Sequence, residues 1–180
     1  RKISLNSAYG ALGNQYFRFY DERNATAITT GGQLSIRWVE KSVNIYLNKL
    51  LKTVDKDYII AADTDSIYIC LDKLVKSVFT DTSDKEKIIK FLDKVCQTKI
   101  QDCINDSFAK LHEYMNSFEQ KMNMSREVLA DKAIWTGKKH YIMNVHNSEG
   151  VQYAKPKLKV MGLESVKSST PAVCREKLHD

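Results

Sequence analysis

The sequence predicts an α+β chain, and three observations lead there. Apolar residues recur every three or four positions along two long stretches, about 24–52 and 84–122, which is the spacing of amphipathic helices. Two hydrophobic runs of strand length flank an acidic tip within 58–71. From about Ala133 the pattern turns to strands and folds back through Asn147-Ser148-Glu149-Gly150, a cluster of turn-forming residues. Two antiparallel hairpins with covering helices follow from these patterns.

Taken in order, residues 1–12 read as a short helix on which Asn6, Tyr9 and Gly10 follow Lys2 at helical spacing, so that an ammonium, an amide and a phenol share one face. Tyr16-Phe17-Arg18-Phe19-Tyr20 alternates in part and reads as a strand or as a cover over an apolar edge. The helix of 24–52 carries the stripe Val39, Val43, Tyr46, Leu47 and Leu50, with a break expected at Gly31-Gly32. Asp55-Lys56-Asp57 marks a turn into the first hairpin. Strict alternation there places Asp63 and Asp65 on one face with Thr64 opposite, and sends Ile67, Ile69 and Leu71 one way and Ser66, Tyr68 and Cys70 the other. The stripe Ile88, Leu92, Val95, Ile100, Ile104, Phe108, Leu111, Met115, Phe118 and Met122 predicts one long helix lying across a sheet. A basic strand, Lys155 to Lys159, follows the second hairpin, and 170–180 reads as a helix beginning.

A chain of 180 residues accommodates one domain, or one domain and part of another, and 43% hydrophobic residues suffice for a core. The net charge of +6 favours partners that carry phosphate. Cys70, Cys96, Cys103 and Cys174 form no CxxC pair, so buried free thiols in a reducing compartment are expected rather than a disulfide or zinc site. No apolar run reaches membrane-spanning length and no signal segment opens the sequence. Arg1 stands directly in a motif-like run, and the last residues begin a helix, so a piece of a longer polypeptide is expected.

Asp63 and Asp65 crowd like charge at a hairpin tip, where a hard divalent cation would offset the repulsion. An acid-rich turn and a glycosidase-like acid pair are the rival readings. Lys2, Asn6 and Tyr9 are either an ordinary helix surface or a phosphate contact beside an aromatic wall. Lys138, Lys139 and Tyr141, with Gly137 before them, are either a solvated turn entering a strand or a contact with a nucleic-acid backbone. Lys155, Lys157 and Lys159 alternate and so share a face that suits a phosphate track. His140 alone reads as a polar surface residue.

In this order, Lys2-Ile3-Ser4-Leu5-Asn6-Ser7-Ala8-Tyr9-Gly10, Asp63-Thr64-Asp65-Ser66 and Thr136-Gly137-Lys138-Lys139-His140-Tyr141 together resemble the polymerase module of family B DNA polymerases, in particular the replicative enzymes of T4-like bacteriophages. Lys157-Leu158-Lys159-Val160-Met161-Gly162-Leu163-Glu164 and Lys167-Ser168-Ser169-Thr170-Pro171 are similar to the passage from palm to thumb in that group. The resemblance implies a palm-type antiparallel sheet with covering helices and a fragment of the fingers helices. It implies a fingers helix returning into the palm over 1–52, the palm over 53–168 and the start of a thumb over 169–180. It implies template-directed nucleotidyl transfer from dNTP to a primer 3′-hydroxyl, aided by two Mg²⁺ ions. Asp65 would be the metal-bridging carboxylate with Asp63 beside it. Lys2 and Asn6 would contact the triphosphate, Tyr9 would wall the nascent base pair, Lys139 would meet the minor groove and Tyr141 would hold the primer. The implied partners are primer–template DNA, dNTP, the rest of the polypeptide or a complementary subunit, and a sliding clamp, in the cytoplasm of an infected bacterial host.

Three departures stand out. Ala61-Ala62 occupies the place of a Tyr-Gly pair, His140 that of an arginine, and 124–135 is short, as if a surface loop were trimmed. The aspartate motif that precedes the fingers in the family is not within these residues, so the segment by itself is expected not to polymerise DNA. A nonenzymatic nucleic-acid-binding module and one subunit of a split polymerase are the alternatives.

Overall fold

The computed structural model describes residues 2–81 and 84–178. The described residues form six α-helices, one π-helical turn and five strands, and the expected α+β class holds. The chain divides into two compact units, one formed by residues up to Cys70 with Cys103–Asn123, the other by Leu71–Asp102 with the residues from Met124 onward.

In the first unit, α1 (Lys2–Leu12) is followed by turns through the aromatic run. That run is neither strand nor cover: Tyr16 and Phe19 are exposed, and Phe17 and Phe19 pack on each other edge to face. Helix α2 (Glu22–Leu50) starts at Asp21, whose carboxylate accepts the Arg23 amide at 2.9 Å. It runs unbroken through Gly31-Gly32, against the expected break. Two glycines cost helix propensity, but the buried stripe of Val39, Val43 and Leu47 holds the helix by tertiary packing. Leu50, assigned to that stripe from sequence, is exposed. The helix ends where Lys52 turns left-handed at φ 51°, with the Thr53 amide donating to the Asn48 carbonyl at 2.9 Å.

Two asparagines one turn apart on α2 tie down the segment that leads into the hairpin. Asn44 donates to the Asp57 carboxylate at 2.9 Å and accepts the Tyr58 amide at 2.8 Å. Asn48 donates to the Lys56 carbonyl and accepts the Thr53 hydroxyl and the Lys56 amide. Strands β1 (Ile59–Asp63) and β2 (Ser66–Ile69) then pair antiparallel, and both touch α2.

The long helical stretch is three segments. Helix α4 (Lys85–Val95) passes through a π turn (Cys96–Ile100) into α5 (Gln101–Met115). The sequence stripe jumps five positions between Val95 and Ile100, and a turn closed by i→i+5 hydrogen bonds takes up that jump. The expected continuation to Met122 does not occur. Asn116 adopts φ 47°, its amide bonds to the Glu113 carbonyl and the Ser117 amide reaches back to His112, the hydrogen-bond pair that closes a helix at a left-handed residue. Phe118 and Met122 are therefore exposed rather than part of a buried stripe. In the first unit α5 meets α2 through the Trp38 indole, which donates to the Ser107 carbonyl at 3.0 Å, and through Ser42 and Ser107 at 3.0 Å.

The second unit adds a short helix that the sequence patterns did not predict, α3 (Asp72–Val78), and a three-stranded antiparallel sheet in the order β3-β4-β5. Strand β3 (Val128–Gly137) begins before the expected Ala133 and takes up most of the short 124–135 segment. Strand β4 (His140–Ser148) is central and buries Tyr141, Met143 and Val145. The turn to β5 (Val151–Met161) consists of Glu149 and Gly150, both left-handed, where the sequence placed it. Pro156 is tolerated because β5 is an edge strand and 153–156 fall within a register shift. The short helix α6 (Ala172–Lys177) follows Pro171, as expected; His179 and Asp180 lie outside the described residues.

Arg126 clamps this unit. Its guanidinium bonds to Asp93 of α4 and, at 2.6 Å, to Asn147 of β4. On β3, beside β4, Asp131 collects Lys85 at 2.8 Å and Asn144 at 2.7 Å and lies 3.2 Å from His146. All four cysteines are free, but only Cys96 is buried while Cys70 and Cys174 are exposed, which corrects the expectation of buried thiols. Burial pushes the Cys96 thiol up to about 11 against the opposing charge of Arg126, so it stays protonated and unreactive. Among the described residues no helix is long and apolar enough to cross a membrane.

Candidate nucleotidyl-transfer and DNA-contact sites

The acidic tip is built by a two-residue connection. Asp63 pairs with Ser66 as the last rung of the ladder, and Thr64 and Asp65 form the loop. Thr64 is left-handed at φ 52°, and the Asp65 amide closes onto the Asp63 carbonyl at 2.6 Å, a tight three-residue turn. This departs from strict alternation: the period of two stops at Asp63, and Asp65 is a turn residue. The two carboxylates consequently differ. Asp63 is half-buried at a strand end, where the Thr64 hydroxyl donates to its carboxylate at 2.9 Å and the Ser66 hydroxyl donates to its carbonyl at 3.1 Å. Asp65 is exposed.

The tip presents carboxylate and hydroxyl oxygens, the donor chemistry that a hard divalent cation takes. Two carboxylates are fewer ligands than Mg²⁺ needs, and that ion keeps waters and takes phosphate oxygens to complete its shell. Among the described residues no three His, Cys, Asp or Glu side chains converge into a metal-holding group.

On α1, Asn6 and Tyr9 are three residues apart on a regular helix, hence neighbours on its surface. Both side chains are exposed. The side chain of Lys2 lies outside the described residues.

In the second unit, Lys138 and Lys139 are the loop of the β3–β4 hairpin, between Gly137 and His140, and both are exposed. Lys139 is left-handed at φ 61°. His140, read from sequence as a surface residue, is half-buried, and its Nδ1 lies 2.7 Å from the Lys138 carbonyl oxygen. Tyr141 is 7% exposed, its ring 6.2 Å from that of Trp135. Lys157 and Lys159 pair with Val145 and Met143 and so share a face, whereas Lys155 falls in the register shift. Lys159 is ion-paired with Glu127 at 2.9 Å, and the Lys157 ammonium sits 4.4 Å from the centre of the Tyr153 ring.

Sequence reasoning passed over the groups that hold these sites in place. Asn44 and Asn48 carry an i, i+4 signal on α2, but their target loop is known only from the fold. Gly162 stood in the Lys157–Glu164 run of the sequence, but its place at the end of β5 and what lies against it emerged only from the fold.

The chain matches the divergent family B DNA polymerase family over residues 35–180. It belongs to the family B DNA polymerases. It is 44% identical over 192 aligned residues to the DNA-directed DNA polymerase of Escherichia phage RB69 and 42% identical over 189 to that of Enterobacteria phage T4, with the whole chain covered in both. DNA polymerase beta of African swine fever virus is 28% identical over 152 residues, covering 81% of the chain and 12% of the viral protein. The chain spans about a fifth of the length of the two phage polymerases, 21% in each case.

Proposed function

We propose that this chain is the part of a DNA-directed DNA polymerase that carries one catalytic carboxylate motif and a surface gripping primer–template DNA. The observation that carries the reading is the acidic tip Asp63-Thr64-Asp65-Ser66, closed by the two-residue loop Thr64-Asp65, in a chain of family B. In this reading residues 1–52 are a fingers helix and its return, 53–168 the palm and 169–180 the start of a thumb. Asp65 and Asp63 would hold Mg²⁺, which when bound lowers the pKa of the primer 3′-hydroxyl and offsets charge on the phosphate oxygens.

The residues of the chain do the rest. The exposed position of Asp65 leaves its carboxylate open to ligands, while Thr64 and Ser66 orient Asp63. Lys2 and Asn6 neutralise and orient the triphosphate of an incoming dNTP, and the Tyr9 ring forms a flat wall for the nascent base pair. Lys138 and Lys139 meet the duplex near the primer end, and Tyr141 helps hold the primer strand. Lys155, Lys157 and Lys159 neutralise backbone phosphates. The reaction is attack of the primer 3′-hydroxyl on the α-phosphorus, with pyrophosphate leaving. The 180 residues alone do not extend a primer, because two carboxylates fall short of the ligands that a two-metal centre requires; the remainder of the polypeptide or a complementary subunit supplies the others.

Asp65→Ala in the complete polymerase tests the reading. Primer extension is expected to be lost while duplex binding persists, and near-normal extension would overturn the role of Asp65. Template-dependent extension by the 180-residue chain alone would overturn its inactivity.

A further inference from the structure

The Lys138-Lys139 loop is held by a residue outside its own hairpin. Gly162 follows the last residue of β5 at φ +70°. A Cβ placed there would overlap the Lys139 carbonyl oxygen and stand 3.1 Å from His140 Cδ2 and 3.2 Å from the Lys139 carbonyl carbon. Overlap with backbone is not relieved by rotating a side chain, so the loop or the 162–164 strap would have to move. Gly10, Gly31, Gly32 and Gly150 have nothing within 4 Å of such a Cβ, which sets Gly162 apart. Beyond it, Glu164 accepts from Lys167 and, at 3.0 Å, from Thr170, which fixes the strap. His140 Nδ1 lies 2.7 Å from the Lys138 carbonyl oxygen, which can only accept, so this ring nitrogen donates from within the hairpin.

The geometry points to Gly162 as a positioning residue for the lysine loop: its bare backbone sets where the Lys138 and Lys139 ammonium groups stand toward a nucleic-acid duplex. This rests on the reading that these lysines grip primer–template DNA. Gly162 does not itself touch DNA; it acts through the Lys139 backbone.

The test is binding of the chain to a fluorescently labelled primer–template duplex across a salt series, with Gly162→Ala and Gly162→Asn. Asparagine tolerates the left-handed backbone but still brings a Cβ to the Lys139 carbonyl. Both variants are expected to keep a cooperative melt, to bind more weakly and to show a salt slope lower by about 1 for each phosphate that a displaced lysine no longer neutralises. In a Lys138→Ala/Lys139→Ala background, Gly162→Ala is expected to weaken binding no further. The inference is overturned if Gly162→Ala binds with the wild-type slope, if its fold-loss is undiminished in the lysine-free background, or if Gly162→Asn restores binding. Amide hydrogen exchange separates this failure from failure of the underlying reading. Wild-type protection at Lys139 and His140 in both variants overturns the positioning itself. A lysine-free variant that binds as tightly as wild type overturns the DNA role of the loop, and the positioning toward DNA with it.

Discussion

Replacing Arg126 by leucine is expected to destabilise the three-stranded unit far more than removal of a surface ion pair. The Arg126 side chain is 9% exposed and its partner Asp93 26%. Its fork also reaches Asn147, itself buried, at 2.6 Å. Without the guanidinium, the Asn147 oxygen loses its short donor, and a stranded buried acceptor costs about 1–3 kcal/mol. Asp93 keeps the Gln97 amide at 3.1 Å and partly rehydrates, so the roughly 3–5 kcal/mol of a fully broken buried pair is not reached. Arg126 Nε is buried without a hydrogen bond, which further trims what the native arginine contributes. A net loss of about 2–4 kcal/mol follows. By contrast Lys76 and Asp72 are 68% and 63% exposed, and such pairs contribute about 0.2–1 kcal/mol. The assay is urea unfolding followed at Trp135 on β3, after Trp38→Phe removes the other of the two tryptophans. With a urea slope of about 1–3 kcal/mol per molar, Arg126→Leu should lower the midpoint by about 1 M or more. A shift no larger than that of Lys76→Ala would refute the clamp.

Two further outcomes are expected. Burial pushes the Asp131 carboxyl up, but hydrogen bonds from Lys85 and Asn144, together with the His146 ring 3.2 Å away, outweigh it and hold the group well below 3.8. The folded-state pKa is depressed, so its stabilisation is fully present above 3.8 and is lost as pH falls through the folded value. The stability gap between wild type and Asp131→Asn in urea titrations should therefore narrow only at strongly acid pH; a gap unchanged between pH 7 and pH 2 would contradict this. Gly31→Ala and Gly32→Ala each meet open space and should each stabilise α2 by about 0.8–1 kcal/mol through helix propensity, measured by thermal unfolding followed at Trp38. A drop in midpoint would show that these positions pack against something.

Local rules made the secondary structure legible where one rule acted alone. The Glu149-Gly150 turn was readable because the residue types between two strands fit a left-handed connection, and the stripe Val39, Val43, Leu47 because its period matches a helix with one buried face. Legibility failed where two rules competed. Gly31-Gly32 argued for a break, but packing further along α2 outweighed propensity. Apolar periodicity argued for helix up to Met122, but Asn116 turned left-handed and closed it at Met115.

The candidate site divides in the same way. The polymerase family, the acidic hairpin and the lysine pair before Tyr141 were all legible in the sequence, because these depend on residue types in a fixed local order. That Asp63 is held at a strand end while Asp65 stands in the turn emerged only from the folded chain, since one left-handed residue, Thr64, cancels the alternation. Folding also brought Asn44 and Asn48 to the loop before β1, Arg126 to Asp93, and Gly162 to the Lys139 backbone. Those contacts join residues from different elements, eight positions apart at Asn48 and Lys56 and 33 apart at Arg126 and Asp93, and their hydrogen-bonding and van der Waals terms act only over a few ångströms, a distance that order along the chain does not encode.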